Sequence, residues 1–458
     1  MNIALIIYLV VLVLIAMRSA RRVKDIPDFF VARKGASAKA VAGSLVATIL
    51  GGSAVIGAVD SGARLGGAAS WFMLTGALGL IALIPFAGRA YSHGKYALPD
   101  LVENLYGKGP RFVASIVIPV AWTGIVAAQI IAAAKLLMTF TPMEYTTAAI
   151  VSAAVFTGYT LAGGQLSILR TDFFQACLII AGLVLVAGFA LFGGAAATSS
   201  AQLTAATQAA SAPPFPFHAN FTPFDLFLLI LTYGTTYTAG PDIFSRMFCA
   251  KDVATAKKAI AGAACTLIPV AFVIGFLAVY GVSLGEVQGA RITAIANAVL
   301  PPALLPLFAL ALLSVVLSSA DTTLLSSSVI ICRLFDMGNA ADRNSAKNPL
   351  AKARIVILLN GIVALLLALV FTDIIGTLLL ALAVYAGAFT VPVLWGLLGL
   401  KAKPKFVASA IVAGGALALA GKLCPPLPGS LGAHTGDFLM VAAFIVNAII
   451  LAFGREKK

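Results

Sequence analysis

An all-α polytopic membrane protein with about 13 transmembrane helices is the fold class the sequence predicts, on three observations. Of 458 residues, 61% are hydrophobic and 10% are charged, and the mean hydropathy is +1.03, outside the range of soluble domains. Apolar windows of the roughly 20 residues that cross a bilayer core as a helix recur along the whole chain. The Lys and Arg residues fall between alternate windows. With the N-terminus outside, inner segments hold all but four of the 31 basic residues, the exceptions being Arg64, Lys135, Arg291 and Lys422.

The windows can be justified in order. The first, 2–17, is followed by Arg18, Arg21, Arg22 and Lys24 with no basic residue before it, the reverse of a cleavable signal peptide. It reads as a retained anchor with its N-terminus outside. The second, 41–63, overlaps ATILGGSAVIGAVDSGARLGG (47–67), with Gly and Ser where a lipid-facing helix wants Leu. Windows at 68–88, 112–138, 144–163 and 172–194 complete a first group of five. The segment 195–222 is Ala/Ser/Thr-rich and then Pro-rich, a solvated loop with room for a short surface helix. The seventh window, 223–245, overlaps LTYGTTYTAGPDIFSR (231–246), polar and broken by Gly-Pro. Windows at 256–283, 302–332, 353–371 and 373–399 complete a second group, and those at 405–422 and 436–453 bring the C-terminus inside.

Two interrupted helices that open corresponding halves point to a secondary transporter, because backbone groups freed at membrane depth must line a protected cavity. Close helix packing is the other use of such glycines. The remaining composition excludes more than it suggests. His93, His218 and His434 fall in loops without HExxH, CxxC or GxSxG nearby, so an enzyme is not expected. The net charge of +14 follows from topology, with some attraction to anionic lipid, and needs no nucleic-acid partner. Of the cysteines, Cys177, Cys265 and Cys332 lie in spans, Cys249 lies inside and Cys424 outside, so no structural disulfide is expected.

Intramembrane carboxylates need a reason, since each costs a few kcal/mol. Asp60 has Arg64 four residues later on the same helical face, which suggests a local ion pair. Asp242 follows Gly-Pro and precedes Arg246 by a turn, which suggests a structural cap or an inner gate. Asp172 lies at the inner start of a span, with Arg170 nearby. Asp321 sits in SVVLSSADTTLLSSS (314–328), where Ser314, Ser318, Ser319, Thr322 and Ser326 fall within an arc of roughly 140° with Asp321 at its edge. A lone hydroxyl can bond the carbonyl one turn back. A stripe of five, together with unwound carbonyls, suits a hard cation such as sodium.

Three segments carry a resemblance: GGQLSILRTDFFQ (163–175), YTAGPDIFSRMFCAKDVATAKKA (237–259) and VVLSSADTTLLSSS (315–328), with a weaker one in YAGAFTVPVLWGLLGLK (385–401). They are similar to signature segments of the sodium:solute symporters, which include proline, pantothenate, sugar and sialic-acid carriers. The resemblance implies a leucine-transporter-type 5+5 inverted repeat with two broken helices. It assigns 1–40 to an extra N-terminal helix and cytoplasmic loop, 41–399 to the ten-helix core and 400–458 to two peripheral helices. By the same resemblance sodium is the coupling ion, held by the carbonyls of Ala47, Leu50 and Val315 and the hydroxyls of Ser318 and Ser319. Asp172 is either a ligand of a second sodium or the structural partner of Arg170. Val315 stands where members with that second site carry another serine.

For the solute, the resemblance points to Gly51, Gly52 and Ser53 at the first break, to Trp122 and Gln129 on the third core helix, and to Tyr233 and Tyr237, four apart on the sixth. Ala54 and the apolar WFMLTGALGLIALIPFAGR (71–89) stand where sugar carriers place amides and a carboxylate, favouring an amino acid or monocarboxylate. The expected protein is a multi-pass plasma-membrane importer, in the bacterial inner membrane by resemblance. Its partners are solute, sodium and lipid. A proton-coupled or uncoupled carrier and a non-transporting sensor or scaffold are the competing readings.

Overall fold

Backbone amides and carbonyls in hydrocarbon must bond within their own segment, and the architecture follows that rule. The computed structural model describes residues 7, 8, 10–12, 14, 15, 18, 19, 21, 23–192, 215–287, 289–335, 349–423 and 434–456, which contain helices and isolated bridges but no strand. Much of the 2–17 window and of the 195–222 loop lies outside the described residues, as does Cys424. Residues 7, 8, 10–12, 14 and 15 are helical. Tyr8 ties this segment to the rest, its hydroxyl 2.6 Å from Ser314 Oγ and accepting from Gln175 Nε2 at 3.2 Å.

The first broken span is α1 (Ala38–Ile49) followed by α2 (Ser53–Asp60), bent by 55°. Ser37 caps α1, accepting from Ala40 N. Next come α3 (Gly62–Leu83) and α4 (Lys108–Phe140). The run Tyr145–Phe192 divides at Gly164 into α5 (145–163) and α6 (165–192). Gly164 has φ +55°, and a Cβ there would lie 2.6 Å from the Phe29 ring, so the turn demands glycine for both backbone and space.

The second broken span runs from α7 (223–239), through a π-turn at Ile230–Gly234, to α8 (Pro241–Met247). Thr222 and Asp225 form a capping box at its start. Gly240 is extended at the break, and Pro241 is pre-set for the first turn of α8. The chain continues as α9 (Val253–Val282), a short α10 (Arg291–Val299), α11 (Leu305–Leu334), α12 (Pro349–Val370), α13 (Ile374–Leu397), α14 (Pro404–Leu423) and α15 (Thr435–Phe453). Among the described residues nine helices are long and apolar enough to cross a membrane, ten with α1 and α2 counted as one span.

Position in the bundle follows residue type. The most apolar window of α11 is 83% buried and carries the serine stripe, whereas that of α15 is 28% buried and shows Phe438, Ile445 and Ile449 outward. So α11 is central, packed on α4 and α6, while α14 and α15 pair at the periphery. The Pro-rich end of the 195–222 loop docks on α3, with Phe215 stacked on Trp71 at 5.2 Å and Trp71 Nε1 donating to Pro216 O at 2.9 Å. At the far end of α11, Arg333 is buried against Asp100 at 3.0 Å.

Gly164→Ala should lower the thermal midpoint in detergent by an amount corresponding to more than about 1 kcal/mol. Gly158→Ala, where an added Cβ meets nothing within 4 Å, should be neutral or stabilising. Equal midpoints for the two variants would contradict the account of the α5–α6 turn.

Candidate functional site

The site begins where α1 stops. Leu50 leaves the helix at φ −76° and ψ 51°, its amide still bonded to Val46 O at 2.9 Å, and Gly51 and Gly52 lead into α2. A helix that ends leaves its last carbonyls without amide partners. Here α11 supplies donors: Ser318 Oγ donates to Ala47 O at 2.9 Å, and Ser319 Oγ donates to Thr48 O at 2.8 Å. Ser318 Oγ also lies 3.4 Å from Val315 O. The approach depends on small residues, because a Cβ on Gly51 would lie 2.6 Å from Ser319 Oγ and one on Gly52 would lie 2.9 Å from Ala132 Cβ of α4.

The structure therefore gathers Ala47, Val315, Ser318 and Ser319 of the expected sodium ligands, with Leu50 at the break itself. It adds the Thr48 carbonyl, which was not expected. The signal for Thr48 was present, since any helix ending near Ile49 must leave the carbonyls of its last turn to be met. Carbonyl and hydroxyl oxygens converging from two helices are a donor set that a small hard cation accepts.

Beside the break is a cavity of about 40 Å³ lined by Gly51, Ser53, Trp122, Gln129, Tyr233 and Tyr237. These are six of the seven residues expected around the solute. Gly52, the seventh, lies just behind, its N–H donating to Gln129 Oε1 at 3.2 Å. Tyr233 belongs to the π-turn of α7, and its ring meets that of Tyr237 edge-on at 5.1 Å. The Trp122 ring packs on Tyr385 at 4.5 Å, and the Tyr385 hydroxyl donates to Ala239 O beside the second break. Leu378 and Leu382 of α13 close one wall.

Asp242, expected to be a cap or inner gate, lies in the first turn of α8 and also lines the same cavity. It is 8% exposed, and Oδ1 has no hydrogen-bond partner among the described residues. Arg246, a turn later, suggests a local ion pair in the sequence. In the fold the atom of Asp242 that its Nη1 meets is the backbone carbonyl, at 3.4 Å, not the carboxylate.

The Arg246 guanidinium is instead spread over four helices. Nε donates to Ser44 Oγ of α1 at 3.1 Å, Nη1 to Ser245 Oγ of α8 at 3.0 Å, and Nη2 to Thr322 Oγ1 of α11. Asp172 Oδ2 of α6 lies 3.6 Å from Nη2 and accepts from Ser44 Oγ. Asp172 thus takes its charge partner from Arg246 rather than from Arg170, whose Nη1 donates to Ser19 Oγ at 3.2 Å. All of these groups except Arg170 are buried.

At the other end of α2 the bundle opens. A second cavity, of about 660 Å³, is bordered by Ile56, Asp60, Lys135, Thr139 and Ile374. The expected Asp60–Arg64 ion pair is not what holds Asp60, whose Oδ1 accepts from Arg291 N at 2.7 Å at the start of α10. An acid at that helix start is favoured by the exposed amide dipoles. The rest of the α11 stripe is also shared with neighbours. Ser326 Oγ lies 3.2 Å from Ser245 Oγ, and Asn360 Nδ2 of α12 donates to Ser327 Oγ at 2.5 Å. Asp321 is fully buried, with Thr322 Oγ1 3.4 Å from its Oδ1 and no partner on Oδ2 among the described residues.

The fold has known counterparts. A family model described as the sodium:solute symporter family matches residues 29–405. A sodium/proline symporter of Haemophilus influenzae is 27% identical over 241 residues, covering 50% of this chain and 46% of that protein, so the match spans about half the length of that relative. Among solved structures, a Na+-coupled sialic acid symporter in a substrate-bound outward-open state superposes with a TM-score of 0.78 at 20% identity, covering 100% of this chain and 98% of that one. A nucleobase-cation-symport-1 family transporter in a closed conformation gives 0.57 at 16% identity, covering 93% and 94%. A manganese transporter of Eremococcus coleocola gives 0.54 at 14%, covering 91% and 94%.

Removing the guanidinium leaves Asp172 buried and uncompensated, so Arg246→Ala should destabilise the protein by about 3–5 kcal/mol. Asp172→Asn added to it should restore part of that loss, a coupling of order 1 kcal/mol readable by denaturant unfolding in detergent. Strict additivity of the two substitutions would contradict the pairing.

Proposed function

Since this chain belongs to the sodium:solute symporter family, we propose that it imports a small organic solute, an amino acid or monocarboxylate, by sodium symport through alternating access. The observation that carries the reading is the oxygen set joining α1 to α11 beside a buried aromatic cavity. Sodium bound among the Ala47, Leu50 and Val315 carbonyls and the Ser318 and Ser319 hydroxyls replaces hydrogen bonds that otherwise occupy the hydroxyls. It holds the two helices together by ion–oxygen contacts. Solute and sodium then stabilise the same arrangement, so each tightens binding of the other by the same factor. A cation moving inward gains roughly 2.3 kcal/mol per 100 mV, enough to concentrate a solute tens-fold.

The two cavities suit alternating access. The about 660 Å³ cavity beside Asp60 is the approach path, the about 40 Å³ one is the binding site before side chains rearrange around a solute, and the Arg246 cluster is the closed inner gate. The engagement of Asp172 by Arg246 favours one sodium per cycle over two. In this reading the protein has thirteen spans with the N-terminus outside and the C-terminus in the cytoplasm, in a bacterial inner membrane. Residues 1–40 precede a ten-helix inverted repeat over 41–399, whose halves open on the broken spans α1–α2 and α7–α8, and 400–458 add two peripheral helices.

One specific feature favours a second reading. Among the described residues Asp172 Oδ1 and Asp321 Oδ2 are buried without hydrogen-bond partners, and such carboxylates can carry a proton instead of meeting a sodium ion. Uptake into proteoliposomes driven by a pH gradient in the absence of sodium would favour it.

Replacing both hydroxyls, Ser318→Ala with Ser319→Ala, should weaken half-maximal sodium for uptake by roughly 5- to 150-fold, at about 0.5–1.5 kcal/mol per lost oxygen contact. Unchanged sodium dependence in proteoliposomes would contradict the assignment.

A further inference from the structure

The cavity beside the broken helices has an electrostatic asymmetry. Among the described residues no lysine or arginine lines it, and Asp242 is the acid that does. The Asp242 carboxylate sits in the first turn of α8, where the amide dipoles favour negative charge. The backbone amide of Ile243 faces the carboxylate and Arg246 lies near it, but it is 8% exposed, Oδ1 has no hydrogen-bond partner among the described residues, and the Arg246 side chain is shared among Ser44, Ser245, Thr322 and Asp172. A buried carboxylate without a charge partner is costly unless a cation meets it. The rings of Trp122, Tyr233 and Tyr237 bound the same space, and aromatic faces attract cations.

We propose that Asp242 is the counter-ion for a positively charged nitrogen on the solute, so that the protein carries a zwitterion or small organic cation rather than a monocarboxylate lacking nitrogen. This rests on the central cavity being the solute site, and it chooses between the two solute classes left open above. Asp242 binds solute directly, while Arg246 acts at a distance by drawing its guanidinium toward Asp172. An acid without nitrogen would bring its carboxylate against that of Asp242 with no basic side chain to separate them.

The test uses purified full-length protein and matched solutes that differ in the nitrogen: proline against cyclopentanecarboxylate, alanine against propionate, and glycine betaine against 3,3-dimethylbutyrate. Thermal stabilisation is read in sodium and in potassium. At least one nitrogen-bearing member should stabilise the protein at a concentration roughly tenfold or more below its carbon counterpart. Asp242→Asn should abolish that preference while leaving the stabilisation produced by sodium alone. Binding of carbon members only, or of no nitrogen-bearing member, overturns the proposal. So does loss of the sodium effect itself in Asp242→Asn, which would make Asp242 an ion ligand. A nitrogen-bearing solute that binds equally in sodium and potassium leaves Asp242 in its role and removes sodium coupling instead, so the two ideas fail separately.

Discussion

The break after Ile49 frees carbonyls in a region where no water can meet them, and the arrangement of the central helices follows from how they are met. Ala47 and Thr48 take hydrogen bonds from Ser318 and Ser319. That requires α11 to lie against α1 at serine distance, Gly51 to lack a side chain, and the stretch 314–330 of α11 to be buried throughout. A continuous helix at this place would satisfy its own backbone and have no need of α11. The interruption therefore makes a contact between two halves of the chain that depends on a few exchangeable oxygen contacts, the place proposed for the sodium ion.

Below the junction lies its opposite, a charged cluster with little freedom. Arg246 reaches α1, α6, α8 and α11 from one side chain, and its fork geometry allows several hydrogen bonds that a lysine could not make together. Buried ion pairs stabilise little relative to a well-packed apolar core, yet breaking one is expensive. That asymmetry suits a gate, which has to be held in one arrangement and released as a unit. Along α1 the junction at Ala47 and Thr48 lies between Ser44 of the cluster and Gly51 and Ser53 of the cavity, so one helix joins all three.

Much of this was legible from residue order alone. The apolar windows located α3, α4, α9 and α11–α15, because length and hydropathy are sufficient for helices in lipid. The glycines and hydroxyls at 47–67 and 231–246 marked both breaks, because two matched clusters are more than close helix packing alone requires. Motif spacing paired Ser318 with the Ala47 carbonyl, to which its hydroxyl donates, whereas Ser319 meets the Thr48 carbonyl instead. The carboxylates were the poorer guide. Asp60, Asp172 and Asp242 each have an arginine within four residues, and in each case the sequence neighbour proved a weak indication of the partner. Asp60 meets the Arg291 amide across the loop, and Asp172 meets Arg246 from another helix. Asp242 has its arginine turned away from its carboxylate. Long side chains on tightly packed helices choose partners by three-dimensional proximity, and helical spacing reports only one face of one helix.

The central claim, that an ion at the α1–α11 junction sets the relation of the two helices, can be measured without knowing the solute. Spin labels on Lys39→Cys, before the break, and Phe335→Cys, just beyond α11, in a background without native cysteines, report the distance between these ends by double electron–electron resonance. The account predicts that sodium narrows the distance distribution or shifts it to one population relative to potassium, and that the response is lost with Ser318→Ala and Ser319→Ala. Identical distributions in sodium and potassium for the unsubstituted junction would contradict it.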